Sequence, residues 1–241
     1  MRLLKIELLY PGDVACIENT GMRYIPFCDY RVMFCGIDEA GRGSVMGPLV
    51  VACVFADDDT ELKRMGVKDS KKLSPKKREE LYEKITQTFE CTVTMASSAD
   101  IDRMRKTESL NVIELKMFAY VSGSRSEHIF ADCPDVNESS FSNELSAMTG
   151  SKVTAKHKAD DTYPIVSAAS IVAKVTRDRC IEKISKEIGN IGSGYPSDTV
   201  TMEFIEKWIK DNGCAPPYTR CSWEPVRKRL SLLANTRITD W

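Results

Sequence analysis

The sequence predicts an α/β fold: a mixed five-stranded sheet flanked by helices, with additional helices at the C-terminal end. Three observations predict it. Five apolar runs of strand length lie between residues 33 and 158. The first two are joined too tightly for a crossover and should pair antiparallel, whereas the last two are separated by helical segments and should be parallel. After residue 158 the apolar spacing is helical alone.

Residues 1–32 mix short apolar pieces with Pro11, Gly12 and Pro26, and no periodicity lasts, so they read as a poorly defined N-terminal extension. Met33–Ile37 is the first convincing strand. Leu49–Ala56, rich in Val, follows the Gly47-Pro48 break and is stopped by Asp57, Asp58 and Asp59. A basic segment runs from Lys63 to Arg78. Within it Ser74 is placed to cap a helix whose first turn holds Pro75 and which continues to about Phe89. Cys91–Ser97 alternates and reads as the third strand. Leu110–Val121 has helical spacing, and Glu127–Ala131 is a short fourth strand. Phe141–Met148 reads as a helix ended by Gly150. Lys152–Lys158 is the fifth strand, and Pro164 opens a long helix to about Ile188. Thr199–Lys210 and Pro225–Leu233 are two further helices. The expected division is therefore an extension over 1–32, a domain over 33–198, and a helical extension over 199–241 packed on it.

The bulk properties exclude several classes. The chain has 241 residues with 42% hydrophobic content, enough to bury a core, and a net charge of −1. An anionic partner must then be held by local patches. The longest apolar run, Leu49–Ala56, is strand-sized, and the first ten residues carry mixed charge, so neither a membrane span nor a signal peptide is expected. Nine scattered cysteines form no CxxC pair, which argues for buried thiols in a reducing cytoplasm and against zinc.

The chemistry concentrates in residues 35–48, CGIDEAGRGSVMGP. Neighbouring side chains of a strand point to opposite faces, so Asp38 and Glu39 can share a site only if the strand ends or bends there. Ala40-Gly41 supplies such an end, and Gly41-Arg42-Gly43 lets a ligand approach the main chain beside a fixed positive charge. The spacing Gly41, Gly43, Gly47 is not GxGxxG, and a strand follows instead of a helix, which excludes a dinucleotide site. A solvated hairpin turn would account for these residues taken alone. Asp132 and the pair Asp160-Asp161 lie where two other apolar runs stop. If the three ends converge, clustered carboxylates need cations, and a ligand set of oxygens alone favours Mg²⁺ or Mn²⁺. Ser70 and Lys71, in a basic stretch, suit a phosphate backbone. Metal carboxylates beside a basic groove point to phosphodiester chemistry on nucleic acid.

GIDEAGRGSVMGPLVVA, DSKKLS, FADCPDVN, KHKADDTYPIVSAASIVAKVTRD and GSGYPSD together resemble ribonuclease HII, the type 2 ribonuclease H family. HKAD and DVN look archaeal, and CSW near Trp223 extends the likeness. The resemblance implies a ribonuclease H-like fold and a cytoplasmic endonuclease that cuts RNA/DNA hybrids and the 5′ side of single ribonucleotides in DNA. It implies two divalent ions, Mg²⁺ or Mn²⁺, on Asp38, Glu39, Asp132 and Asp160, leaving 3′-hydroxyl and 5′-phosphate ends. Asp161 is then a neighbour and not a ligand. Gly41, Arg42 and Gly43 would sense the ribose 2′-hydroxyl through main-chain groups, and Tyr195 would pack on the adjoining sugar. Ser70 and Lys71 would contact phosphate. His128 and His157 are read as structural or phosphate-adjacent. A monomer is expected, with accessory subunits left open, and Leu233–Trp241 shows no clear sliding-clamp pattern. Another nuclease or integrase of the same fold, or a non-catalytic nucleic-acid-binding module, are the alternatives.

Overall fold

Both faces of the sheet are covered, and the alternation within one strand shows how. The computed structural model describes residues 4–8, 33–123 and 126–239. In β3 (Leu49–Ala56; strands are numbered from β1, Leu4–Leu8) every residue is buried. Val50, Ala52, Val54 and Ala56 face one apolar cluster, and Leu49, Val51, Cys53 and Phe55 face the other. Such a strand reads as a continuous apolar run because neither of its faces meets water.

The sheet order is β1-β4-β3-β2-β5-β6, with β2 Phe34–Ala40, β4 Glu90–Ala96, β5 His128–Asp132 and β6 Lys152–Lys156. The β2–β3 and β3–β4 pairs are antiparallel, and the β2–β5 and β5–β6 pairs are parallel. The five expected strands are all present. The sixth, β1, pairs parallel with β4 inside a segment that sequence reasoning left without regular structure. The expectation for residues 9–32 lies outside the described residues.

Nine α-helices occur among the described residues, α1 Thr60–Met65, α2 Pro75–Thr88, α3 Ser98–Met104, α4 Leu110–Ser122, α5 Glu138–Thr149, α6 Ala159–Thr162, α7 Pro164–Ile188, α8 Thr199–Asn212 and α9 Glu224–Thr239, besides a 3₁₀ turn over Ser70–Lys72. Side-chain caps start several of them. Ser74 accepts from the Lys77 N–H at the head of α2, Ser109 from Val112 at α4, and Asp198 from Val200 at α8. Gly150 and Gly213 end α5 and α8 in the left-handed conformation. The short helices α1, α3 and α6 were not legible, since four to seven residues show too little periodicity.

Helices α7 and α2 cover one sheet face; α4 and α5 cover the other. A third apolar cluster joins Val45 and Met46 to Ile181 and Ile184 of α7, Ile205 and Ile209 of α8, and Val226 of α9. The run Ser167-Ala168-Ala169-Ser170 is buried, and its small side chains let α7 lie close to the sheet, as expected. None of the helices is long and apolar enough to cross a membrane among the described residues.

Gly36 records how close that approach is. A Cβ built on it would lie 2.3 Å from the Ile165 carbonyl oxygen and 2.7 Å from the Val166 nitrogen. Both are backbone atoms that cannot turn aside. Gly36→Ala should therefore destabilise the protein by about 1–3 kcal/mol, measured as a lowered urea midpoint with an unchanged slope. An unaffected midpoint would show that α7 can move off the sheet freely.

Candidate active site

The site is built where the parallel ladder stops. Strand β5 pairs with β2 only as far as Ile37↔Ala131, while β2 continues on β3 through Asp38↔Ala52 and Glu39↔Val51 to Ala40↔Val50. The strand does end at Ala40, where the sequence reading put its end, but both acids lie within it and point to opposite faces. What brings them together is the neighbouring strand, whose pairing stops one residue before Asp38. Asp38 shares the face of Ala52, toward α7, and Glu39 shares the face of Val51, toward α4. Asp38, Glu39 and Asp132 nevertheless offer carboxylate oxygens that all lie within 4.8 Å of one another.

Asp160 reaches the site differently from the expectation. It lies in α6 and not on a strand end. Strand β6 stops at Lys156, and Lys158 takes a left-handed conformation with φ 57°. That turn aims the Ala159 N–H at Asp132 Oδ1, 2.8 Å away. Asp160 is itself buried, and its charge acts on Asp38.

Burial and like charge both work against ionisation here. Burial first, then the Glu39, Asp132 and Asp160 charges, raise Asp38 well above the usual carboxylate range. Burial and the Glu114 and Asp132 charges push Glu39 up to about 8. Burial and Asp132 raise Asp160 to about 6. Glu39 Oε2 is buried with no hydrogen-bond partner. A crowded cluster of oxygens, whose carboxyls stay raised despite the Lys71 and Arg42 charges, is the donor set that a hard divalent cation fits. Lys71 is the protein cation drawn to most of these acids. Against the cost of burial, the Asp38, Asp69, Asp160 and Asp132 carboxylates raise its pKa.

The turn after β2 is held from behind. Gly41 has φ +92°, and a Cβ there would lie 2.5 Å from both Arg177 Nε and the Pro48 carbonyl oxygen. Its N–H donates to the Tyr195 hydroxyl at 3.1 Å, and its carbonyl accepts from Ser44 Oγ at 2.8 Å. Gly43, in contrast, is exposed, and a Cβ on it would meet nothing within 4 Å. The Arg42 side chain is not a free charge. Its Nε donates to Glu114 Oε2 at 2.8 Å and its Nη2 to Asn111 Oδ1 at 2.7 Å. Tyr195 is half-buried, with the Arg177 guanidinium 4.5 Å from its ring centre.

Lys71 therefore sits with the carboxylates, but Ser70 does not present its hydroxyl to a phosphate. Ser70 is buried, and its Oγ accepts from Ser170 Oγ at 2.8 Å. Its carbonyl accepts from Arg78. Asp161 is exposed and pairs with Lys72. His128 stacks on Phe130 and contacts Thr154; His157 Nε2 lies 2.7 Å from the Asp135 carbonyl oxygen.

Five residues that the sequence reading passed over serve this region. Asp69 caps the turn at Lys71 and contacts Asp160 through a side-chain hydrogen bond. Glu114 and Asn111 hold Arg42. Arg177 and Arg220 are both fully buried. Arg177 Nη2 donates to the Ser193 carbonyl at 3.1 Å, and Arg220 Nη1 donates to the Arg42 carbonyl at 2.9 Å. Burial and the Arg177 charge lower Arg220 to about 9. The available signal was weak: an acid amid the apolar residues of α4, and arginines in otherwise ordinary polar positions.

Known proteins share this architecture. The family model described as ribonuclease HII matches residues 35–226. The ribonuclease HII of Thermococcus sibiricus is 47% identical over 203 residues, covering 80% of this chain and 89% of that protein. The RNase HII in the solved PCNA:RNase HII complex from Archaeoglobus fulgidus is 43% identical with a TM-score of 0.77, covering 80% of this chain and 96% of that one. The ribonuclease H2 structure from Pyrococcus horikoshii is 39% identical with a TM-score of 0.79, covering 84% and 99%.

The crowding has a thermodynamic consequence. A carboxyl whose folded pKa is raised binds more protons folded than unfolded, so stability falls as pH rises through that interval. For Glu39 the window runs from 4.5 to about 8, and for Asp160 from 3.8 to about 6. In protein stripped of divalent cations, melting temperature should fall between pH 5 and pH 8. Asp38→Asn should raise it at pH 8 by roughly 2–8 °C, corresponding to about 1–2 kcal/mol. A lower melting temperature for the variant would mean that the carboxylates are not straining the fold.

Proposed function

The chain belongs to the ribonuclease HII family, and from that premise we propose that Asp38, Glu39, Asp132 and Asp160 are the carboxylates with which it hydrolyses RNA. The activity is that of a ribonuclease H, a hydrolase acting on the phosphodiester bonds of RNA paired with DNA. The observation that carries the residue assignment is the meeting of Asp38, Glu39 and Asp132 within 4.8 Å, drawn from two strands and from both faces of β2.

Asp38, Glu39, Asp132 and Asp160 would hold two divalent ions, Mg²⁺ or Mn²⁺, whose chemistry when bound would be Lewis-acid activation of the attacking water and charge stabilisation at the leaving oxygen. The protein's own part is positional. Asp132 is oriented by the Ala159 N–H, and Asp38 Oδ1 accepts from the Glu39 N–H at 2.7 Å. Burial of the cluster strengthens every electrostatic interaction at the scissile phosphate. The Lys71 ammonium, drawn to the carboxylates, would contact a phosphate oxygen of the bound strand.

Sugar recognition belongs to the turn. The N–H groups of Arg42 and Gly43 make no hydrogen bond among the described residues. With no Cβ at Gly43, a sugar edge can approach this main chain, and a 2′-hydroxyl can both donate to and accept from it. The Tyr195 ring, fixed by Gly41 and Arg177, forms a flat surface for the neighbouring sugar. These features support cutting 5′ of a single ribonucleotide embedded in DNA, besides cutting continuous hybrid.

The test is cleavage of a labelled DNA duplex carrying one ribonucleotide, with Mg²⁺ or Mn²⁺. Wild type should cut once, 5′ of the ribonucleotide, and Asp132→Asn should lose roughly 10²–10³-fold in rate. Gly43→Ala should keep its melting temperature, because the added methyl meets no protein atom, yet cleave this substrate at least about tenfold more slowly. Cleavage of long hybrid alone would overturn the sugar-sensing role of the turn and Tyr195. Full activity in Asp132→Asn would overturn the carboxylate assignment.

A further inference from the structure

Helix α4 carries a carboxylate that the assigned chemistry does not use. Glu114 has no solvent exposure and lies among Ile113, Leu115, Met117 and Phe118 of an apolar helix. A buried acid is costly unless paired, so its partner is informative. Glu114 Oε2 accepts from Arg42 Nε at 2.8 Å, while Oε1 is buried without a hydrogen-bond partner. Arg42 itself is 37% exposed at its side chain. An arginine meant to offer its charge to a phosphate would not need a carboxylate sealed beneath it. The pairing spends the fork on geometry instead.

The contacts extend in both directions. From Arg42 they run through Asn111 to the Asp135 side chain, and the Asp135 carbonyl accepts from His157 Nε2 at 2.7 Å. Asp135 and His157 each lie three residues from a proposed ligand, Asp132 and Asp160. On the other side, the Arg42 carbonyl accepts from Arg220. Residue 42 is therefore clamped at its side chain and its carbonyl, with the Arg42–Gly43 peptide left between. Glu114 also lies on the same sheet face as Glu39.

We propose that Glu114 is a positioning residue for the sugar-sensing turn: by holding Arg42 it fixes the Arg42–Gly43 peptide in the orientation that meets the ribose 2′-hydroxyl. This rests on the reading of that turn as the sugar contact. Glu114 touches neither substrate nor metal. Its removal leaves the turn in place but frees one side of the clamp.

The experiment measures kcat and KM on the single-ribonucleotide duplex, together with the Mn²⁺ concentration giving half-maximal rate. Glu114→Leu should lower kcat by about 10–100-fold with KM changed less than about threefold, the size of effect that misplacement near 1 Å produces. Half-saturating Mn²⁺ should stay within about twofold of wild type. Glu114→Gln, whose Oε1 can still accept from Arg42, should retain kcat to within about fivefold. In an Arg42→Met background, Glu114→Leu should have no further effect, since both changes release the same clamp. Additive losses, or a tenfold shift in half-saturating Mn²⁺, would overturn the proposal by showing action through Glu39. An unchanged kcat in Glu114→Leu would overturn it outright. Gly43→Ala separates the two readings. If it costs activity and Glu114→Leu does not, only the role of Glu114 fails. If Gly43→Ala costs nothing, the sugar contact itself fails.

Discussion

Like charge gathered at the buried end of β2 is the constraint around which the rest of the structure is arranged. A strand covered on both faces is a place for Val and Ile, and β3 beside it obeys that rule throughout. The two acids of β2 break it. Their repulsion and desolvation oppose folding, and the protein's answer is local: an N–H from Glu39 to Asp38, an N–H from Ala159 to Asp132, and the ammonium of Lys71 nearby. These contacts orient the carboxylates without neutralising them. The unpartnered Glu39 Oε2 is what that shortfall looks like at one atom. A site that stays electrostatically unsatisfied in the protein alone is one that a divalent cation fits.

The turn after β2 faces the opposite requirement. It must be rigid while leaving its main chain open. Glycine alone gives openness without rigidity, because it loses more conformational freedom on folding than any other residue. Two buried guanidiniums supply the rest. Arg177 stacks under Tyr195 and binds the Ser193 carbonyl; Arg220 binds the carbonyls of Arg42 and Gly47. The Gly194 carbonyl accepts from Val45 and Met46, which ties the tyrosine loop to the turn directly. The C-terminal helices, through the cluster around Val45 and Met46, thus contribute to the shape of the site although they carry none of its acids.

What could be read from the sequence was what repeats or punctuates. The strands declared themselves by apolar runs, and their parallel or antiparallel pairing followed from connection length. The acids Asp38, Glu39 and Asp132 stood where those runs stop. Asp160 also stood after such a run, but the left-handed Lys158 that turns it inward leaves no trace in composition. Ser70 looked like a surface donor because its neighbours are basic; that its hydroxyl is buried against Ser170, a hundred residues away, is a fact of packing. Arg42 looked like a free cation for the same reason, since its counter-charge lies on α4. Strand β1 was illegible because five residues paired to a sheet edge need no sustained amphipathic pattern.

The opposed faces of β2 give these separate observations a common logic. Asp38 looks toward α7, in company with Asp132, Asp160 and Lys71. Glu39 looks toward α4, in company with Arg42 and Glu114. The acid cluster and the glycine turn therefore meet at Glu39, whose carboxylate lies near Asp132 and feels the Arg42 charge. The Arg42 charge favours its ionised form while the Glu114 charge opposes it. Only Ala40 separates the acid pair from the glycine turn in the chain, so the strand that carries the acids also sets where the turn begins.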